Sequence, residues 1–222
     1  ISDHARLDAV GYDELAPFIW PANARQRGGR FFGEGRFHTA DGKARMLPIM
    51  APATPTGMRS DGFRLNTGRI RDQWHTMTRT AKSAQLSAHL AEPFLELHPR
   101  DAARLGLQTA DLAEVTNDLG LAILRVLVTE RVLPGHPFAP MHWTGETAPT
   151  GRVDVLVTAN PDPISGQPDS KGAQVAVRRY PARWYGFAVS TRSFDPTSDY
   201  WAKARVRGGW RAELAGDTAP AN

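Results

Sequence analysis

The chain has 222 residues, of which 41% are hydrophobic and 23% charged, and its 27 basic and 23 acidic residues give a formal net charge of +4. It contains no cysteine, which excludes disulfides, thiolate zinc sites, cysteine-ligated iron–sulfur clusters and a cysteine nucleophile within these residues. No stretch approaches the roughly 20 apolar residues that span a bilayer, so we expect no membrane partner.

The basic charge indicates an anionic partner without identifying it. The arginines are scattered from Arg25 to Arg211 rather than gathered in one run, which favours a solvated basic surface over a nucleic-acid interface. The chain begins with Ile1 and has neither an initiator Met nor an apolar leader. We therefore expect a fragment of a longer protein.

Residues 1–60 are predicted to form an extended N-terminal arm, because Pro, Gly and charged residues interrupt every hydrophobic periodicity. Within this arm, residues 36–39 and 43–46 flank an Ala-Asp-Gly sequence. An Asp-Gly pair suits a tight turn between two short strands, so a hairpin is predicted there. Three prolines in residues 47–58 then indicate an extended linker.

Residues 61–180 are predicted to form the folded core. Pro99 near the first helical position and Gly106 just past the last indicate a two-turn helix between them. Alternating apolar residues and turn signals predict the strands of this core at residues 63–66, 94–97, 112–116, 121–129, 138–143 and 174–180. Several strands with little helix indicate a closed or nearly closed barrel.

Residues 181–222 form a C-terminal extension that is too aromatic for a disordered tail. We expect it to pack either on the barrel or on an absent domain, and in the second case the exposed apolar surface would favour self-association. The aromatic residues of this extension are Trp184, Tyr185, Phe187, Phe194, Tyr200, Trp201 and Trp210.

The densest chemical signal is the polar segment at residues 65–80, LNTGRIRDQWHTMTRT, directly after the first predicted strand. Gly68 would let backbone N–H groups approach an anion, and the arginines and threonines could bind phosphate oxygens. Asp72 could accept from a guanine or sugar edge, and Trp74 offers a stacking face. By composition alone, a solvated turn whose Trp and Met belong to the core is equally consistent.

Two further segments carry candidate site residues. Pro140-Met141-His142-Trp143 ends a predicted strand, where Met141 suits the core while His142 and Trp143 suit a functional rim. In the loop at residues 162–171, DPISGQPDSK, Lys171 could reach a ring carbonyl or a phosphate. The histidines form no ligand set, so His75 is interpreted as a hydrogen-bonded loop residue and no intrinsic metal site is expected.

These three segments, in this order and with the aromatic tail, resemble the C-terminal molybdopterin-dinucleotide-binding domain of molybdopterin oxidoreductases. Within that family the segments are most similar to the large catalytic subunit of bacterial assimilatory nitrate reductases. The resemblance covers most of the chain, including the 37–46 hairpin. It implies a mainly β fold, a double-psi β-barrel with short helices and extended N- and C-terminal arms.

The resemblance also implies that the 67–76 loop wraps the guanine dinucleotide and pterin ends of the cofactor. Relatives carry an asparagine eight residues before the aspartate of the Asp-Pro-Ile-Ser loop, and here that position is Asp154. An ionised aspartate only accepts hydrogen bonds and would lie near phosphates, so Asn160 is the alternative if the register is shifted. The expected cofactor-binding residues are Thr67, Gly68, Arg69, Asp72, Gln73, Trp74, His75, Thr76, Thr78, His142, Trp143, Asp154 and Lys171.

The function implied for the full-length enzyme is two-electron reduction of nitrate to nitrite with a bis(molybdopterin guanine dinucleotide) molybdenum cofactor. The expected partners are the iron–sulfur and molybdenum-ligating domains, and the expected location is cytoplasmic. Because the metal ligands of such enzymes lie in those earlier domains, we expect this chain to position and tune the cofactor, to hold no catalytic residue, and to lack cofactor when isolated. A further hypothesis places His142 and Trp143 near the active-site funnel.

Two alternatives stay open from the sequence. The same domain serves formate dehydrogenases and related molybdenum oxidoreductases, because the barrel binds cofactor irrespective of substrate. A free-standing β-barrel that binds nucleic acid or another partner is the second alternative, with the arginines contacting phosphates.

Overall fold

A computed structural model of the chain describes residues 4, 7–19, 22–23, 25–48 and 62–218. The chain divides into two compact units, residues 1–54 and 55–222. The first unit contains helix α1 (Ala9–Asp13) and two short antiparallel strands, β1 (Ala22–Asn23) and β2 (Gln26–Arg27). Asp8 is the N-cap of α1, and its carboxylate accepts a hydrogen bond from the Gly11 N–H. Most of the predicted 47–58 linker lies outside the described residues.

The hairpin predicted at residues 36–46 is wrong, because the turn forms without flanking strands. Phe37 N–H donates to the Gly42 carbonyl at 2.9 Å, which closes the turn. The Thr39 hydroxyl donates to the Lys43 carbonyl, and the Asp41 carboxylate accepts from the Lys43 N–H. These local side-chain bonds occupy backbone groups that a strand ladder would use, and an isolated hairpin is marginally stable in water.

The second unit contains a closed barrel, which confirms the predicted fold class. Six strands close in the order β3-β7-β4-β6-β5-β8. The pairs β3/β7 and β4/β6 are parallel and the other pairs are antiparallel. The barrel strands are β3 (Phe63–Gly68), β4 (Phe94–Leu97), β5 (Leu112–Asn117), β6 (Gly120–Val128), β7 (Phe138–Pro140) and β8 (Ala173–Arg179).

Short helices connect the barrel strands. The predicted helix is α3 (Pro99–Leu105), which begins after His98 and ends at Gly106 in the left-handed conformation, with φ +64°. A second short helix, α2 (Ala84–Ser87), and three single 3-10 turns were not predicted. None of the helices in the described part of the chain is long and apolar enough to cross a membrane.

The barrel interior is filled by alternating side chains of its strands. In β3, Phe63, Leu65 and Thr67 point inward while Arg64 and Asn66 are exposed. This period of two is what the sequence alternation predicted. Phe63 and Leu65 belong to one hydrophobic core. Its other buried residues include Leu95, Leu97, Ala113, Val115, Ala122, Leu124, Val126, Ala139, Val175 and Val177.

The C-terminal residues form an antiparallel sheet of three strands, β9 (Trp184–Ser190), β10 (Tyr200–Val206) and β11 (Gly209–Gly216), in the order β10-β11-β9. An extended arm was expected here. The sheet packs on the barrel, because the buried side chain of Tyr200 lies in one apolar cluster with Phe94, Leu112 and Ile123. Lys203 N–H also donates to the Thr147 carbonyl at 2.8 Å, which fixes the β10 edge against a barrel loop.

Candidate functional site

The candidate site begins where β3 ends. Because β3 and β7 are parallel, both finish at the same edge of the barrel, with Gly68 opposite Pro140. A Cβ atom at Gly68 would lie 2.9 Å from Cε2 of Phe138. The glycine therefore leaves room for the Phe138 ring, and its predicted role in admitting an anion stays a prediction.

His142 holds the polar loop that follows β3. Its side chain is fully buried, although a rim position was expected. The Nε2 atom accepts from the Ile70 N–H at 2.9 Å, and Nδ1 donates to the His75 carbonyl at 2.6 Å. These bonds require the neutral ring with the proton on Nδ1. Burial lowers the pKa of His142, and the charge of Arg69 lowers it further, against the opposing effect of the bond to His75.

The strand predicted at residues 138–143 ends at Pro140 in the structure. Gly68 is the last residue of the partner strand, so no ladder is available beyond Pro140. Met141 N–H still donates to the Gly68 carbonyl at 3.0 Å. The chain then turns so that His142 spans the loop. Both ring nitrogens are occupied by backbone groups, and a cofactor contact through either nitrogen would have to replace one of these bonds.

Arg69, Trp74 and His75 form the outer face of the loop. The guanidinium carbon of Arg69 lies 5.1 Å from the ring centroid of Trp74, and the His75 ring packs edge-on against the same indole at 4.5 Å. Trp74 is 59% exposed, whereas Met77 is buried in the core. An exposed aromatic face beside a cation is a surface suited to an anionic or aromatic ligand.

Asp72 is held by two neighbouring side chains, Arg71 and His89. Its carboxylate pairs with the Arg71 guanidinium at 2.9 Å and with Nδ1 of His89 at 2.7 Å. The hydrogen bond from Arg71 is the main reason that the pKa of Asp72 is lowered. Both carboxylate oxygens already accept hydrogen bonds, so a contact to a guanine or sugar edge would share or replace one of them.

A large cavity of about 1080 Å³ lies beside the loop. On one side it is lined by Gln73, Thr76, Thr78 and Trp143. The Gln73 side chain is 5% exposed, and its Oε1 atom has no hydrogen-bond partner among the described residues. The cavity therefore brings four predicted site residues together.

Other residues that line this cavity were not foreseen as part of a site. They lie in the C-terminal sheet, in the loop before β10, in the 144–147 loop and at Lys82. Period-two alternation in residues 200–206 and 209–216 would have predicted the strands, but not which face lines a cavity. The unforeseen lining residues with charged or aromatic side chains are Lys82, Glu146, Asp195, Trp201, Lys203, Arg205 and Trp210.

Lys171 lines a different cavity. The Thr67 hydroxyl donates to the Ser170 carbonyl, and Gly172 N–H donates to the Leu65 carbonyl at 2.8 Å, which holds the 162–171 loop against β3. Lys171 then lies on a cavity of about 400 Å³. The other polar residues that line it are Arg64, Asn66, Arg131 and His136.

Asp154 and Asn160 line neither cavity. Asp154 begins a 3-10 turn, Asp154–Leu156, and its exposed carboxylate pairs with Arg152 at 2.9 Å. Asn160 is exposed, and its carbonyl accepts from the Asp169 N–H. Which of Asp154 and Asn160 contacts the cofactor therefore stays a prediction.

Comparisons with a family profile and with individual proteins indicate the same family for this chain. The profile of the family described as "Molydopterin dinucleotide binding domain" matches residues 63–174. The chain is 39% identical over 218 residues to a nitrate reductase of Klebsiella oxytoca, which covers 96% of the chain and 25% of that protein. It is 35% identical over 189 residues to a nitrate reductase of Shewanella frigidimarina, which covers 74% of the chain and 20% of that protein.

A third relative belongs to a different enzyme class. The chain is 28% identical over 162 residues to the F420-dependent formate dehydrogenase subunit alpha of Methanocaldococcus jannaschii, with 72% of the chain and 23% of that protein covered. The chain thus spans a quarter or less of the length of these relatives.

Proposed function

Because this chain belongs to the molydopterin dinucleotide binding domain family, we propose that it binds molybdopterin guanine dinucleotide as the C-terminal domain of a nitrate reductase. The 39% identity to the Klebsiella oxytoca nitrate reductase over nearly the whole chain supports the choice of enzyme. The guanine form and the two-pterin arrangement at molybdenum are part of the proposal. We also propose a cytoplasmic enzyme whose other domains carry the iron–sulfur cluster and the molybdenum ligand.

The observation that carries this proposal is Gln73, which lines the large cavity and whose buried Oε1 atom has no hydrogen-bond partner among the described residues. A buried acceptor without a partner costs about 1 to 3 kcal/mol, so such an atom is usually satisfied by a ligand or water. Pterin and guanine rings both carry N–H donors on their edges, and the hydroxyls of Thr76 and Thr78 can bond to their polar groups. The residues present therefore fit the cofactor.

Within the enzyme, the molybdenum of the bound cofactor would supply the two-electron chemistry. This chain would bind and orient the pterin and nucleotide groups and exclude water from them. His142 would act by holding the loop, since its nitrogens already bond to Ile70 and His75. Trp143, which is 4% exposed, would close the base of the cavity.

Formate oxidation is the second candidate function, and the similarity to the Methanocaldococcus jannaschii formate dehydrogenase subunit supports it. The residues that would hold the cofactor are the same for both substrates. Assay of the full-length enzyme with nitrate and a reduced dye, and with formate and an oxidised dye, distinguishes the two. Turnover of formate without turnover of nitrate would replace the first proposal by the second.

Replacing Gln73 by leucine tests the cofactor contact. The change preserves side-chain size and removes the acceptor, so we expect the full-length enzyme to bind cofactor about tenfold less tightly, which corresponds to about 1.4 kcal/mol. The cofactor-free protein should be no less stable, because an unsatisfied buried acceptor has been removed. Molybdenum and acid-released GMP per subunit measure the first effect, and thermal unfolding measures the second.

Gln108→Leu is the matched control, since Gln108 is exposed and lines neither cavity. It should leave the molybdenum and GMP contents unchanged. Full cofactor content in Gln73→Leu, with lower stability, would mean that Gln73 serves only the packing of the loop.

A further inference from the structure

Strand β9 forms one edge of the C-terminal sheet. It pairs with β11 on one side, and no strand in the described part of the chain pairs with its other side. Every second residue of an edge strand presents its backbone N–H and C=O groups outward. This edge therefore offers main-chain donors and acceptors to which a further strand can be added.

The other edge of the same sheet, β10, is protected against such pairing. The Lys203 N–H on β10 donates to the Thr147 carbonyl, and the strand carries two cations, Lys203 and Arg205. The β9 sequence, WYGFAVS, has neither a charged residue nor a proline. Charges and prolines are common means by which proteins block edge strands, so the sequence of β9 does not oppose pairing.

Three side chains of β9 form an exposed apolar stripe on one face of the sheet. Tyr185, Phe187 and Val189 are 53%, 65% and 67% exposed. The nearest charges on this face belong to β11, where the Arg211 guanidinium lies 5.3 Å from the Phe187 ring centroid and pairs with Glu213 at 2.5 Å. The stripe is therefore apolar, and the ion pair beside it is neutral.

We propose that two copies of this chain associate by antiparallel pairing of β9 with β9 of the second copy, about a two-fold axis at Phe187. Phe187 is the middle residue of Trp184–Ser190, so this register pairs the whole strand. It places Phe187 opposite Phe187 of the second copy, and Tyr185 of each copy opposite Val189 of the other. Aromatic pairs and aromatic–β-branched pairs are favourable neighbours across strands.

A second copy fits this edge because the strand complements itself. The two-fold axis brings equal apolar stripes together on one face and joins the two C-terminal sheets into one continuous sheet. Like copies do not repel there, because β9 is uncharged and Arg211 is paired with Glu213. A charged peptide would gain little from the same edge for the same reason. The inference does not depend on cofactor binding.

The size of the contact predicts a weak dimer. An aromatic side chain buries about 150 to 250 Å², so the partly exposed stripe offers roughly 300 Å² on each copy. Stable interfaces bury about 800 Å² of each partner, so main-chain hydrogen bonds between the strands must supply part of the stabilisation. We expect a dissociation constant on the order of 50 µM.

The first test is sedimentation of the full 222-residue chain from about 5 to about 500 µM, a range that spans this constant. The unchanged chain should pass from monomer to dimer. Phe187→Lys places two cations opposite each other at the axis and should raise the dissociation constant at least about tenfold. Leu119→Lys is the matched control, because Leu119 is 56% exposed on the turn between β5 and β6. It should dimerise like the unchanged chain.

Cysteine cross-linking tests the register, since the chain contains no cysteine of its own. Tyr185→Cys mixed with Val189→Cys, with oxidised glutathione as the oxidant, should give disulfide-linked dimers that contain one chain of each variant. Neither variant should cross-link to itself. In this register, identical residues lie four positions apart, about 13 Å along the strand, and a disulfide cannot join Cα atoms more than about 7 Å apart.

Three results would overturn the inference. A strict monomer at the highest concentration excludes the dimer. A dimer that is unaffected by Phe187→Lys, or that Leu119→Lys weakens equally, shows that β9 is not its interface. Cross-linking of Tyr185→Cys to itself, without cross-linking to Val189→Cys, excludes the antiparallel register about Phe187.

Discussion

Replacing His142 by phenylalanine is expected to destabilise the protein by about 2 kcal/mol and to weaken GDP binding at least about tenfold. Phenylalanine fills a similar volume but leaves the Ile70 N–H and the His75 carbonyl without their partners. Each such partly buried group left unpaired costs about 1 kcal/mol or more. The loop that carries Gln73 would then lose the contact that holds its two ends, so chemical denaturation and calorimetric titration measure both effects.

Two further variants each keep one of the two hydrogen-bonding groups of His142. His142→Gln retains an acceptor that can reach toward Ile70, and His142→Asn retains a donor at the position of Nδ1. Both variants are expected to bind GDP more tightly than His142→Phe. If all three variants are equally stable and bind GDP like the unchanged protein, His142 does not hold the loop.

His142 also makes the free energy of unfolding depend on pH, and its lowered pKa determines the direction of this dependence. Burial, together with Arg69, lowers the pKa of His142 below its ordinary value of 6.5. Below about pH 6.5 the unfolded chain therefore takes up a proton at this residue that the folded protein does not. The free energy of unfolding contributed by His142 is fully present above pH 6.5 and is lost as the pH falls, and this part of the pH dependence should disappear in His142→Phe.

The second large effect is expected at Glu92, which joins the C-terminal sheet to the barrel. Its carboxylate pairs with Arg125 at 2.8 Å and accepts from the Tyr200 hydroxyl at 2.7 Å. Tyr200 is fully buried, and burial raises its pKa well above 10, so the hydroxyl keeps its proton and donates it. Removing one member of a mostly buried ion pair costs about 3 kcal/mol or more, because it leaves the remaining charge uncompensated.

Glu92→Ala should therefore lower the free energy of unfolding by about 3 kcal/mol and loosen the C-terminal sheet from the barrel. Hydrogen exchange of the backbone amides in residues 200–216 measures the loosening directly, and urea unfolding measures the stability. Glu130→Ala is the control, because Glu130 is exposed and forms no hydrogen bond or ion pair with residues that the structure describes. Unchanged exchange in Glu92→Ala would show that the remaining contacts hold the sheet without this ion pair.

Local signals predicted much of the barrel. Pro99 and Gly106 marked both ends of α3, because an N-terminal proline and a left-handed glycine act through the backbone at those positions. The strand at residues 94–97 was predicted to the residue. The prediction of a hairpin at 36–46 was wrong because the Thr39 and Asp41 side chains form local hydrogen bonds. The sequence does not show whether such local bonds or a strand ladder are more stable.

Apart from Trp143, the cavity-lining residues that were predicted lie in one continuous segment of the sequence. The loop from Thr67 to Thr78 was identified from its composition and from the family resemblance, and Gln73, Thr76 and Thr78 do line one cavity. The C-terminal wall was missed because Gln73 and Arg205 lie far apart in the chain and are brought to one cavity only by packing of the sheet on the barrel. The buried, doubly bonded position of His142 likewise depends on the parallel pairing of β3 and β7.

The most direct test of the central claim is an NMR titration of the full chain with GDP, with Arg69→Ala as the comparison. The account predicts that shifts concentrate in residues 67–80 and in the residues that line the large cavity, and that the loop shifts weaken in Arg69→Ala, which removes the cation beside Trp74. Shifts that instead centre on the Lys171 cavity, or no shift of any residue at millimolar GDP, would contradict it.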